Sequence, residues 1–162
     1  MNRVARDFGV LEGRTIVRWV GFEMALAEDP VVWSHSSVPY VQCNVIDLVL
    51  AEEENIRLHS QIDDGSGRFG LYLEFDGALA NLEPEVAGSI CRVRELHELP
   101  VGRITCVQSH TDELQNVREV AILAGGRTVR LISGEVDEQF DGSFRTVLPD
   151  ESILVQVSSA DA

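Results

Sequence analysis

The sequence predicts a mainly β protein: antiparallel sheets in a sandwich, built from two similar hairpin-containing halves, with little helix. Three observations lead there. Valine, isoleucine and leucine fall in short runs punctuated by Gly, Asp and Asn, the pattern of strands and turns. Several runs alternate apolar with polar residues, as a strand does when its two faces meet different surroundings. Sustained helical periodicity is scarce.

Strands are predicted near 15–25, 41–50, 55–62, 69–75, 89–96, 103–109, 117–124, 127–136, 144–148 and 152–157. In the fourth, Leu71, Leu73 and Phe75 point one way. In the last, Ile153, Val155 and Val157 share one face, and Ser152, Leu154 and Gln156 the other. Ala78–Val86 is expected to form a turn or two of helix and to mark the boundary between halves.

The halves are expected at about 14–78 and 100–157, within a single domain spanning 1–162. Asn44-Val45-Ile46-Asp47-Leu48 resembles Asn116-Val117-Arg118-Glu119-Val120, and Ile56-Arg57-Leu58 resembles Val129-Arg130-Leu131. Each copy reads as strand, polar turn, strand, then an acidic turn containing glycine. Upstream of these blocks two different alignments compete, Val32–His35 with Val107–His110 or Gly13-Arg14 with Gly102-Arg103. Neither half has enough strands to bury a core alone, so the two are expected to pack as one unit.

Charge narrows the function. Twenty-seven acidic residues face thirteen basic ones, a net −14, and all thirteen are arginine. Residues 44–85 carry ten acids against two arginines, and 110–162 ten against four; the rest of the chain is near neutral. Such a field disfavours nucleic acid and anionic membranes, which bind cationic faces. Three cysteines without a CxxC spacing fit buried thiols in a reducing compartment. The first residues lack the apolar core of a secretory signal, so a cytoplasmic protein is expected.

Motifs for chemistry are absent or incomplete. Gly65-Ser66-Gly67-Arg68-Phe69-Gly70 matches GxGxxG, but a strand follows it where a dinucleotide site needs a helix. A kinase glycine loop needs a phosphate-binding lysine, and the chain has none. The acidic turns DDGSG and DEQFDGS miss the ligand positions of a calcium loop. His35, His59, His97 and His110 show no zinc spacing, so neither a metal nor another cofactor is expected. The Ser-His pairs at 34–35 and 109–110 are the only candidates for acid–base work, and neighbours in a strand point to opposite faces. Trp19 and Trp33 are expected in the core or on a sheet face.

The second half carries Val129-Arg130-Leu131-Ile132-Ser133-Gly134-Glu135-Val136, an acidic Asp141-Gly142 turn, and Asp150-Glu151-Ser152-Ile153-Leu154-Val155. This stretch resembles small acidic bacterial toxin-immunity proteins. The first half departs from the pattern, with Gln61 in place of a glycine. The resemblance implies a cytoplasmic protein without activity of its own that occludes a toxin's active domain. Nuclease toxins carry basic clefts for phosphate, which an acidic β-surface complements. The expected contacts are Asp63, Asp64, Glu135, Asp137, Glu138 and Asp141, with Glu52, Glu53 and Glu54 as a second choice. The alternative is a non-catalytic β-rich binding or regulatory module with another ligand.

Overall fold

The computed structural model describes residues 4–75 and 89–158, so the helical turn expected over Ala78–Val86 lies outside the described residues. In chain order the strands are β1 (Val4–Ala5), β2 (Thr15–Met24), β3 (Ala27–Glu28), β4 (Val31–Val32), β5 (Val41–Leu50), β6 (Asn55–Ile62) and β7 (Phe69–Phe75). There follow β8 (Cys91–Glu95), β9 (Gly102–Thr111), β10 (Val117–Ala124), β11 (Arg127–Ser133), β12 (Glu135–Glu138), β13 (Phe144–Val147) and β14 (Ile153–Val157). One 3-10 turn, Phe8–Leu11, plugs Phe8 and Leu11 into the core. No helix among the described residues is long and apolar enough to cross a membrane.

All pairings are antiparallel, and six strands close a ring in the order β5-β14-β11-β10-β9-β2. The architecture is therefore a closed barrel with sheet extensions. Small barrels are filled by side chains; here Trp19, Ile46, Leu48, Ile122, Leu131 and Ile153 are among those within. Trp19 also satisfies its indole N–H, which donates to the carbonyl of Pro100 at 2.8 Å.

Two long strands branch. One edge of β5 follows β2, while its other edge is shared: Val41–Cys43 pair with β14 and Val45–Val49 with β6. β2 is shared likewise, Thr15–Ile16 with β9 and Val20–Met24 with β8. The extension β6-β7 leans back over the barrel, and Gly70 permits it. A Cβ there would lie 3.3 Å from Asn116 Cβ and 3.4 Å from the Val117 backbone. β7 is thus covered on both faces, Leu71, Leu73 and Phe75 on one side and Tyr72 on the other.

Both matched sequence blocks are antiparallel hairpins, β5-β6 and β10-β11. Each hairpin is the middle of a four-strand meander, β2-β5-β6-β7 and β9-β10-β11-β14, and both feed the same core. This likeness is one of strand order. Each meander also carries a two-stranded insertion, β3-β4 after β2 and β12-β13 between β11 and β14.

The second insertion differs from the single strand expected over 127–136. The chain leaves the barrel at Gly134, where a side chain would collide with Leu148, the Val147 carbonyl and Leu154. β12-β13 then projects as an arm. A second apolar cluster, Leu26, Ile132, Val136 and Leu154, pins it to the barrel wall. Leu154 is fully buried there, so β14 is apolar on both faces rather than one.

Buried charge is matched. Asp47, with no exposed surface, receives two hydrogen bonds from Arg57, at 2.8 and 3.0 Å. Glu23 accepts from Arg92 and Arg94 at 2.8 and 2.9 Å, which ties edge strand β8 to β2. Arg92 in turn lies 3.9 Å over the Trp33 ring, a cation–π contact on a sheet face.

Candidate functional site

The acidic turns expected to bind a partner divide into those the protein neutralises itself and those it leaves open. Arg14 holds Glu54 and, at 3.5 Å, Glu52. Asp63 closes the β6-β7 turn, accepting from the Ser66 backbone N–H at 2.9 Å and from Arg6 at 2.6 Å. The Ser66 hydrogen bonds and the Arg6 guanidinium hold its carboxyl below the ordinary range. The GxGxxG segment is this same turn, with Gly67 at φ +70° and its N–H on the Asp63 carbonyl. Glu53 and Asp64 are exposed at the two turns, without ion pairs among the described residues.

The arm is different. Glu135, Asp137, Glu138 and Asp141 form no ion pair among the described residues. Asp137 and Glu138 are exposed, and Phe140 at the tip is wholly exposed. The tip is nevertheless ordered by its own hydrogen bonds. Asp141 accepts from the Ser143 N–H at 2.9 Å and from its hydroxyl at 2.5 Å, which lowers the Asp141 pKa. Gln139 donates to the Ser143 carbonyl at 2.7 Å, and Gly142 supplies the left-handed residue at φ +84°.

Glu135, at the base of the arm, has its carboxyl pushed up to about 7. Burial is the main cause, and the neighbouring carboxylates of Asp150, Glu151 and Asp137 add to it. Beside it runs a cleft of about 470 Å³ between the arm and the Met24–Asp29 segment. Met24, Ala25, Leu26 and Ile90 supply its apolar lining, and Glu28, Asp29, Glu135 and Glu138 its carboxylates. Gln42 spans the bottom. Its side-chain oxygen accepts from the Val136 N–H at 2.6 Å and its amide donates to the Ala25 carbonyl at 3.4 Å.

Sequence reasoning missed Glu28, Asp29, Gln42 and Phe140. Phe140 had a readable signal, an aromatic in the middle of a polar turn. The others come together only through the fold. The histidines form no such convergence. Ser109 and His110 are consecutive on β9 and face opposite ways. His35 bonds Ser37 within one exposed local turn, with Nδ1 2.7 Å from the hydroxyl. His110 borders a separate hollow of about 260 Å³ with Tyr40, Arg118 and Arg130. Among the described residues no group of three His, Cys, Asp or Glu could hold a metal ion. Cys43, Cys91 and Cys106 are all free thiols, and burial raises the first two.

No protein-family model matches this chain, and no curated protein or solved structure matches it.

Proposed function

We propose that this is a non-catalytic binding protein that neutralises a basic protein partner, in the manner of an immunity protein blocking a bacterial toxin in the cytoplasm. The observation that carries the reading is the arm: three exposed carboxylates without internal ion pairs, Asp137, Glu138 and Asp141, beside a fully exposed phenylalanine. Exposed, unpaired carboxylates steer a cationic partner from a distance. A desolvated aromatic anchor then supplies affinity, as interface hot spots do. The same logic demotes Glu52, Glu54 and Asp63, whose charge Arg14 and Arg6 already meet. Its field also makes nucleic acid and anionic membranes poor partners.

The experiment is growth protection. Each reading frame flanking the gene is expressed with and without this protein, and toxicity is scored. Protection against a basic product, lost with Asp137→Arg and Glu138→Arg together, supports the reading. Absence of any frame whose toxicity the protein relieves counts against it.

A further inference from the structure

The cleft beside the arm is bordered by the outer edge of β12, where Gln42 caps Val136 and Glu138 continues the edge toward the tip. β12 pairs with β13 in the register Glu135↔Val147 through Glu138↔Phe144. The Val136 N–H points away from β13, because it donates to Gln42. Alternate residues of a strand present their backbone groups to the same side. The N–H and C=O of Glu138 therefore also face away from β13, on the edge that borders the cleft. The hydrogen bond from Gln139 to the Ser143 carbonyl confirms this parity, since Gln139 points back into the hairpin. Free edges of this kind accept an added strand unless charge or proline guards them.

What can lie there is set by the lining. The floor is apolar through Leu26, Ala25 and Ile90, and the rim is anionic through Glu28, Asp29, Glu135 and Glu138. A strand presents alternate side chains to opposite sides. One that alternates apolar with cationic residues would set the first on the floor and the second against the rim. The volume, about 470 Å³, lies within the range of clefts that hold ordered ligands. A net charge of −14 disfavours a second copy of the chain as the occupant.

We propose that the cleft binds an extended segment of the partner, alternating apolar and Lys or Arg residues, which adds as a short strand beside β12 by bonding the outward backbone groups of Glu138. This rests on the binding reading above and supplies its mode of recognition. Affinity comes from backbone hydrogen bonds, and selection for a basic segment comes from the rim.

The probe is a synthetic seven-residue peptide alternating valine with lysine or arginine, titrated into the isotope-labelled full chain. Saturable shifts are expected at residues 24–29, 42 and 135–138. Two N-methylated versions, blocked on alternate edges, separate strand addition from plain charge attraction. One should lose affinity about tenfold or more and the other little, since only one of them loses its backbone hydrogen bonds to the edge. Glu138→Pro removes the outward N–H together with a rim carboxylate, leaving the β12-β13 ladder intact, and should weaken the parent peptide more than Glu138→Ala, which removes the carboxylate alone. No binding of the parent peptide, or equal binding of both methylated peptides, overturns the proposal. Protection in cells without peptide binding leaves the toxin-binding reading intact and removes only strand addition. Peptide binding without protection does the reverse.

Discussion

Ser60 and Ser133 stand 73 residues apart and share a hydrogen bond of 2.7 Å between their hydroxyls. The same spacing relates Ile56-Arg57-Leu58 to Val129-Arg130-Leu131. The two serines thus hold matching places in β6 and β11, at the point where the two meanders meet. Both hydroxyl oxygens also lie within reach of the Asp150 carbonyl, at 2.6 and 3.0 Å; with one proton each, one serine donates to that carbonyl while the other donates across the pair. Ser60→Ala and Ser133→Ala should each cost about 1 kcal/mol. The double variant should cost more than the two together, because either serine alone still serves the Asp150 carbonyl and only the double variant leaves it without a donor. Urea denaturation of the three variants checks this, and strict additivity contradicts a shared network.

The Asp47–Arg57 pair makes a sharper claim on stability. Arg57→Ala leaves a carboxylate with no exposed surface beside an empty space. Breaking a buried pair from one side costs about 3–5 kcal/mol. Replacing both partners together by Leu and Met should restore most of that. A thermal melt in which the double variant is no better than Arg57→Ala would show that the pair's geometry, not its burial, dominates.

Much of the fold is legible from residues alone, and the reason is local. Val41–Leu50, Asn55–Ile62, Phe69–Phe75 and Val117–Ala124 are bounded by turns whose residues demand a break, as at Gly125 and Gly126 with φ of +57° and +78°. Closure is not legible. It depends on Thr15–Ile16 meeting Gly102–Arg103 and on Val41–Cys43 meeting Ile153–Val155, contacts that local pattern does not encode. The strand expected over 127–136 fails at Gly134 for the same reason, since the crowding there comes from Leu148 and Leu154. The acidic turns are readable as turns. Which of them is neutral depends on Arg6 and Arg14, which are distant in sequence from their partners.

Gln42 is the bolt of the arm. With Gln42→Leu the Val136 N–H loses its acceptor inside the protein, a cost of about 1–3 kcal/mol. The loss should be local. Hydrogen exchange at Val136 and along β12 should speed up, while amides in β10 and β11 keep their protection. Uniform acceleration across the barrel would mean that Gln42 supports the global fold instead.

Charge reversal should now distinguish the turns in two readouts. Asp137→Arg with Glu138→Arg should leave thermal unfolding nearly unchanged, within about 0.5 kcal/mol, and abolish partner binding. Asp63→Arg should lower thermal stability, because it breaks the Arg6 pair and the Ser66 cap, and should leave partner binding intact. Phe140→Ser should match wild type in stability while speeding dissociation. Unchanged binding in both arm variants would remove the arm from the interface.

The last prediction concerns Glu135 and pH. Its carboxyl, at about 7, holds its proton more tightly in the folded chain than an ordinary glutamate does in the unfolded one. The folded state therefore binds more protons across this interval, and stability falls as pH rises. The contribution is full below the ordinary glutamate range, near pH ~4.5, and is gone once the pH passes about 7. Glu135→Gln, which fixes the neutral form, should flatten this limb of the stability profile. The opposite contributions of Asp63 and Asp141, whose carboxyls are held low, appear only at more acidic pH and stay separate. Binding reverses the preference. A cation seated on the rim stabilises the ionised Glu135, so the complex should release a proton on forming and tighten as pH rises through the same window. Calorimetry with the basic peptide, in two buffers of different ionisation enthalpy, reads that proton directly. The heat should depend on buffer near pH ~6 and lose that dependence in Glu135→Gln. Buffer-independent heats in the wild-type protein would place the bound cation away from Glu135.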